Sequence, residues 1–306
     1  MSRVVVVKSN GKPTGNGFGR QEYVALLSAG LGWLSGENEV RAALRKYLPS
    51  GTIGMKTNCL VGRRNSTPVA LVDALSQLLT GAGFDENDLV VWDRTNRELA
   101  GADFPLNAAS RGRRCLGTDT NGAGYSEEFY SFGEVNSLVT RILTDMVDHN
   151  VNLPVLKDHS IAGLSAGLKN MYGAIHNPNK YHGNNCDPYC AHVSNLSPIR
   201  QKNRLTVLDA VRVQYDRGPG FVGRHMYSYN GVVISDDPVA ADRVGLEILE
   251  RIRAINGLPS LEKAGRPVKY LGSAEATGLG TADLSRIDLN VVLVDADGRR
   301  RPGELF

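Results

Sequence analysis

Side chains that could do chemistry are concentrated in one segment, LPVLKDHSIAGLSAGLKNMYGAIHNPNKYHGNNCDPYCAH, which runs from Leu153 to His192. This segment holds four of the chain's six histidines and two of its four cysteines. An imidazole suits proton transfer near neutral pH, because its unperturbed pKa is roughly 6.5. Imidazoles and thiolates are also ligands for transition metals. The segment therefore predicts a site for proton transfer, for a metal, or for both.

His159 is the first histidine of this segment and follows an apolar run that predicts a buried strand. We predict that it acts as a general acid and base or as a metal ligand. Lys169 follows ten residues later, and with Lys157 it is expected to neutralise an anionic substrate or cofactor. Asp158 is expected to orient the base. A helix is predicted to begin after His159, so that its free N–H groups would favour an anion there.

A loop with the spacing His182-x3-Cys186-x3-Cys190-x-His192 ends the segment. These ligand types predict a transition-metal site for zinc, iron or nickel. The spacing is neither CxxC nor that of a zinc finger, so the alternative is a polar loop with two buried thiols.

Strands and helices alternate along the rest of the chain, which predicts an α/β fold with a mostly parallel sheet and helices on both faces. VNLPVLKDH reads as one strand and VNSLVTRILTDMVDH as a helix. Residues 101–133 are glycine-rich and irregular, and they suggest a boundary. We expect an N-terminal lobe over 1–133, with 101–133 as an insertion, and a C-terminal lobe over 134–306, with a cleft between them; one domain is the alternative.

Ligands of open parallel sheets bind beyond the carboxyl ends of the strands. Polar side chains that end or follow the predicted strands, together with the neighbour of Lys169, are therefore the expected cofactor-binding residues: Lys56, Asn58, Arg94, Asn170, Asp209 and Asp236. GNGFG follows the first strand and could cradle phosphate, but a full GxGxxG is missing and a flexible loop is favoured. The Arg63-Arg64 pair is expected to lie in a solvated loop.

Composition narrows the class of partner. The 306 residues carry a net charge of +3 and 42% hydrophobic residues, which is ordinary globular composition without the footprint of a nucleic-acid-binding protein. No apolar run approaches the roughly 18 residues of a membrane-spanning helix. Four cysteines do not suggest a disulfide scaffold, so we expect a reduced, cytoplasmic protein. An exported protein whose leader is absent from this numbering is the alternative.

Several motifs together resemble the domain of unknown function 362 family, from about Gly51 onward. They are GMKTNCL with STP, the block LPVLKDHSIAGLSAGLKNMYGAIHNPNKYH, LTVLDAVRVQY and DDPVAADRVG. Many relatives carry a four-cysteine iron–sulfur segment, and this sequence has no such cysteine pattern. DHSIAGLSAGLKN is also similar, more faintly, to a block of the nickel-pincer lactate racemase family, in which a histidine and a cofactor-attached lysine are ten residues apart. RNSTP stands where that family has its early catalytic histidine.

The sequence thus predicts an enzyme, metal- or cofactor-dependent, that acts on a small anionic molecule. Proton abstraction beside a carboxylate or carbonyl and redox chemistry at a bound cofactor are both consistent with these residues. The alternative is a non-catalytic protein that binds or carries a metal or a small anion.

Overall fold

Short β-branched runs of the sequence form the strands of one large sheet in the computed structural model, which describes residues 1–295 and 298–306. In this part of the chain there are thirteen strands and nine α-helices. The strands are β1 (Ser2–Ser9), β2 (Ile53–Lys56), β3 (Leu89–Asp93), β4 (Arg114–Gly117), β5 (Tyr130–Phe132), β6 (Val135–Ser137), β7 (His149–Asn152), β8 (Val155–His159), β9 (Gly163–Ser165), β10 (Asn203–Gln214), β11 (Met226–Ser235), β12 (Ile287–Val294) and β13 (Arg300–Pro302). The helices are α1 (Arg20–Ser35), α2 (Val40–Tyr47), α3 (Val69–Gly81), α4 (Asn96–Gly101), α5 (Gly167–Asn170), α6 (Tyr189–Ser194), α7 (Ser197–Lys202), α8 (Pro238–Ile255) and α9 (Tyr270–Ala276).

The main sheet has eleven strands in the order β13-β12-β1-β11-β10-β7-β2-β3-β4, and β8 and β9 continue it beside β10. Most neighbours are parallel, whereas β11, β13 and β9 run antiparallel to their partners. The short strands β5 and β6 form a separate pair. The predicted α/β class with a mostly parallel sheet is confirmed.

Helices cover both faces of the sheet, because alternate residues of each buried strand point to opposite sides. In β1, Val4 and Val6 belong to a core shared with α6, α8 and α9, whereas Val5 and Val7 belong to a core shared with α1, α2 and α3. The two apolar layers fix the sheet between the helices, and they leave its edges for polar side chains.

The sheet does not divide at residue 133. β1 lies between β11 and β12, and β2 lies between β7 and β3, so strands from residues 1–133 and from residues 134–306 are interleaved. The two predicted lobes therefore share one sheet, and the candidate cleft is the carboxyl edge of that sheet.

The strand predicted over VNLPVLKDH is interrupted at Leu153-Pro154, which separates β7 from β8. The helix predicted after His159 is replaced by a hairpin, since β8 turns back antiparallel onto β9. Gly163 has φ +74° in this hairpin, and a Cβ there would collide with the Arg266 carbonyl. The first helical residues after His159 are those of α5, which begins at Gly167, so the prediction of a helix N-terminus next to His159 was wrong.

None of the helices in the described part of the chain has both the length and the apolar character needed to span a membrane.

Candidate functional site

A cavity of about 320 Å³ opens at the carboxyl edge of the sheet. Parallel pairing brings the ends of β2, β3 and β7 together there, because Lys56 is in register with Trp92 and with Asn152. Eight of the residues that the sequence predicted for the site line this cavity: Lys56, Asn58, Arg94, Lys157, His159, Lys169, Asn170 and His182.

Alternation along β8 explains which of its last three residues reach the cavity. Lys157 and His159 line it, whereas Asp158 points to the opposite face of the strand. The Asp158 carboxylate accepts hydrogen bonds from Gly218 N at 2.8 Å and from Arg266 Nη1 at 2.5 Å, and it is fully buried. Asp158 therefore has a structural role on the far side of the strand, not the predicted contact with the base.

Lys157 is held by two neutral oxygens. Its Nζ donates to Asn58 Oδ1 at 2.7 Å and to the Asn65 carbonyl at 2.9 Å, and the side chain is only 1% exposed. Burial lowers the pKa of Lys157 to about 7, because removal from water disfavours the ammonium form. At neutral pH, this lysine is therefore present in both its charged and its neutral form.

Lys56 has a carboxylate partner, whereas Lys157 has none within residues 1–295 and 298–306. Its Nζ lies 2.7 Å from Asp93 Oδ1, and both side chains are buried. Asn170 Oδ1 accepts from Asn58 Nδ2 at 3.0 Å and lies 3.4 Å from Lys56 Nζ. The two asparagines thus connect the lysines at the ends of β2 and β8, and they fix the floor of the cavity.

Lys169 projects from α5 and lies against two rings. Its Nζ is 3.7 Å from the centre of the Tyr172 ring and 3.1 Å from His182 Nε2. The pKa of Lys169 is lowered, chiefly by burial. In residues 1–295 and 298–306, no carboxylate is within ion-pair distance of Lys157 or Lys169, whereas Arg94 pairs with Glu98. The ammonium forms of these two lysines therefore give the cavity a positive charge without a compensating carboxylate in that part of the chain.

The hydrogen bonds of His159 fix the position of its proton. Its Nδ1 lies 3.1 Å from the backbone N of Ile161 and 3.1 Å from that of Ala162. Backbone N–H groups can only donate, so Nδ1 must accept, and the proton of the neutral ring is on Nε2. Burial and then the nearby Lys169 charge lower the pKa of His159 to about 3. His159 is therefore a neutral hydrogen-bond donor near pH 7.

His182 has the opposite tautomer. Its Nδ1 lies 3.0 Å from the Pro178 carbonyl, which can only accept, so Nδ1 carries the proton. The Nε2 lone pair is left free to face Lys169. Burial, followed by the Lys169 charge, lowers the pKa of His182, so this ring is also neutral.

The two imidazoles stack with their centroids 6.0 Å apart and their planes 28° apart. One presents an N–H and the other a lone pair, and both lie beside Lys169. Such a pair can accept a proton with one ring and stabilise a developing negative charge with the other.

The four predicted metal ligands are not brought together. His192 Nδ1 accepts from the backbone N of Glu134 at 3.0 Å, and its ring packs against Phe132. Cys186 and Cys190 are free, fully buried thiols that lie close to each other. No group of three or more His, Cys, Asp or Glu side chains in residues 1–295 and 298–306 is arranged to hold a metal. The alternative stated for this loop, two buried thiols, describes what it contains.

Two further predicted residues lie outside the cavity. Asp209 accepts from Tyr23 Oη at 3.0 Å within the sheet, because it is in the middle of β10 and not at its end. Asp236 lies next to the first turn of α8 and lines separate clefts. Asp209 was therefore wrongly predicted to end a strand. Asp236 does follow the end of β11, but β11 runs antiparallel to β10, so its carboxyl end lies at the opposite edge of the sheet.

Asp93, Glu98 and Tyr172 line the cavity but were not among the predicted site residues. A signal for Asp93 existed, since it ends a strand parallel to that of Lys56. Tyr172 had none, because its ring reaches Lys169 only through the 3₁₀ turn Met171–Ala174 that follows α5.

Comparisons with known proteins identify the family of the chain. No curated protein sequence matches the chain significantly. A crystal structure of a Thermotoga maritima protein is similar, with 10% identity and a TM-score of 0.45, and the match covers 94% of this chain and 90% of that one. The model of a family described as Domain of unknown function (DUF362) matches residues 53–247, which include every predicted residue of the cavity. The chain belongs to the DUF362 family.

Proposed function

We propose that the protein is an enzyme that binds a small anion in this cavity and removes a proton from it. The observation that carries the proposal is a pair of neutral imidazoles with opposite tautomers beside two buried lysines, for which the described residues provide no carboxylate partner. Burying a cation without a counter-ion is unfavourable, so an anion that enters the cavity gains strong charge-assisted hydrogen bonds.

Each residue has a distinct role in this proposal. Lys157 and Lys169 bind the anionic group of the substrate. Lys169 turns from His182 Nε2 to the anion, and His182 Nε2 then accepts the proton. His159 donates its Nε2–H to the oxygen on which negative charge develops, as expected for a neutral imidazole held in one tautomer. The substrate class is a short carboxylate with an acidic C–H beside a carboxylate or carbonyl group.

Exchange of the acidic hydrogen in D₂O tests the proposal. Short 2-oxo and 2-hydroxy carboxylates are incubated with the protein, and loss of the C–H signal is followed by ¹H NMR. His182→Gln should slow exchange about 10²- to 10⁴-fold, the usual contribution of a general base. His159→Gln should slow it roughly 10²- to 10³-fold, as when one oxyanion donor is removed.

Both variants should still bind the anion, because the lysines remain, and calorimetry measures this binding. His149→Gln is the matched control, since this histidine lies at the start of β7 and does not line the cavity. Binding without any exchange would contradict the catalytic role and would leave an anion carrier.

A further inference from the structure

A second concave surface of about 750 Å³ lies next to the cavity. We call it the arginine groove, because Arg63, Arg64 and Arg212 line it together with Phe221 and Asp103. The groove adjoins the first cavity through residues 63–65. Arg63 and Arg64 line the groove, and the carbonyl of Asn65 accepts a hydrogen bond from Lys157 Nζ, which belongs to the cavity.

Arg212 reaches the groove from an irregularity in β10. The pairing of β10 with β11 shifts register between Ala210 and Arg212, and such bulges redirect side chains. Arg212 Nη1 donates to the Gly15 carbonyl at 2.5 Å, which holds the guanidinium against the loop after β1. Its Nε–H is shielded from solvent and has no acceptor in the described part of the chain. A buried donor without a partner is costly, so this position favours an added acceptor.

The other two arginines leave the groove positively charged. Arg64 lies over the Phe221 ring at 5.4 Å, which orients its guanidinium without neutralising it. Arg63 is 3.6 Å from Asp103, but both side chains are mostly exposed, and such ion pairs are weak. Three guanidinium groups thus face one carboxylate.

The first turn of α3 lines the same groove. Its N-cap is Pro68, which provides no side-chain cap, and the amides of Val69 and Ala70 have no acceptor among residues 1–295 and 298–306. These amides add donors next to the arginines, at the carboxyl side of β2, where ligands of parallel sheets bind.

We propose that the arginine groove is a second binding site, for a phosphorylated small molecule. Planar guanidinium groups form paired hydrogen bonds with phosphate oxygens, and a phosphate has enough oxygens to use several such donors at once. The groove has more than twice the volume of the first cavity, at about 750 Å³ against 320 Å³, so it also accommodates the rest of an organic phosphate. This inference is independent of the proton transfer proposed above.

Calorimetric titration of the full chain with pyrophosphate and with adenosine diphosphate tests the site. Arg212→Gln and Arg64→Gln should each weaken binding about tenfold to a hundredfold, the loss expected when a hydrogen bond to a charged group is removed. Arg64 is exposed, so its variant separates lost binding from lost folding. Arg41→Gln, an exposed arginine of α2 outside the groove, should bind as the unmodified protein does.

Four outcomes would overturn the proposal. The first is no binding of either phosphate, and the second is binding that both groove variants leave unchanged. The third is binding that Lys157→Met abolishes and the groove variants do not, which would place the phosphate in the first cavity. A single-stranded oligonucleotide that binds when pyrophosphate does not would likewise count against a small-molecule site.

Discussion

Lys157 combines complete burial with hydrogen bonds to two neutral oxygens, and this combination makes its charge sensitive to pH. Its pKa of about 7 lies well below the usual value near 10.5, because burial penalises the ammonium. The ammonium is therefore present below pH 7 and is lost as the pH rises through 7. Only the charged form adds electrostatic attraction to a bound anion.

The first prediction follows from this titration. The affinity for a small carboxylate should fall by up to about tenfold between pH 6 and pH 8, because one charge-assisted hydrogen bond is weakened. Lys157→Met should bind weakly at both pH values and should remove most of the pH dependence. Calorimetry at a series of pH values measures both effects. An affinity of the unmodified protein that does not change with pH would refute the role of Lys157, and Lys263→Met serves as an exposed control.

At the residue scale, sequence reasoning identified most of the polar cavity lining because these side chains end or follow strands. Lys157 and His159 were identified in this way, and so were Lys56 and Asn58. Asp158 was misassigned because alternation along a strand shows that neighbours point apart, but not which of them faces a cleft. The tautomers of the two histidines depend on turn amides and a carbonyl that no sequence pattern identifies.

At the scale of elements, α8 positions Lys169 indirectly, by binding the start of the helix that carries it. Asp242 of α8 accepts from Gly167 N at 2.7 Å and from Leu168 N at 2.9 Å, and these amides begin the short α5 that carries Lys169. The carboxyl group is fully buried, and burial raises its pKa to about 7. A four-residue helix has little stability of its own, so this contact fixes its first turn.

The second prediction concerns the stability of the protein as a function of pH. The pKa of Asp242 is about 7 in the folded state and close to 3.8 in the unfolded state, so the folded protein binds more protons between pH 4 and pH 7. The contribution of Asp242 to the free energy of unfolding should therefore fall as the pH rises through this window. Asp242→Asn should reduce the difference in proton uptake by about one proton, measured by urea unfolding from pH 4 to pH 8. An unchanged slope in the variant would show that Asp242 is ionised when folded.

Element types were predictable where the hydrophobic pattern is long, as in α8, and unpredictable where turns decide the path. VNSLVTRILTDMVDH was expected to be a helix, but it contains β6, a single π-helical turn at Ile142–Met146 and the start of β7. The hairpin after His159 depends on the positive φ of Gly163 and its contact with Arg266, which is 103 residues away in the sequence. Contacts over such separations override local propensity.

At the scale of the whole molecule, the sheet order makes the two halves of the sequence depend on each other. β1 pairs with β12 over eight residues and with β11, both from the second half. β2 pairs with β7, so the cavity too combines residues from both halves. The predicted boundary at residue 133 relied on glycine content, which marks irregular backbone but carries no information about which strands pair.

The third prediction is that neither fragment 1–133 nor fragment 134–306 folds alone. Each fragment lacks the partners of its own strands, and their removal exposes strand edges and apolar side chains. Circular dichroism of the full chain should show one cooperative unfolding transition, and the separate fragments should show none. A fragment that unfolds cooperatively would establish a boundary that the sheet does not have.

The opposite tautomers of the two imidazoles have a stereochemical consequence, because only one of the two rings can act as the base. In the proposed reaction, a substrate held by Lys157 and Lys169 presents its C–H to the lone pair of His182 and its oxygen to the N–H of His159. Its mirror image, bound by the same two lysines, would turn its hydrogen away from that lone pair. A single base of this kind distinguishes enantiomers and returns the hydrogen to the face it left, so the product keeps its handedness.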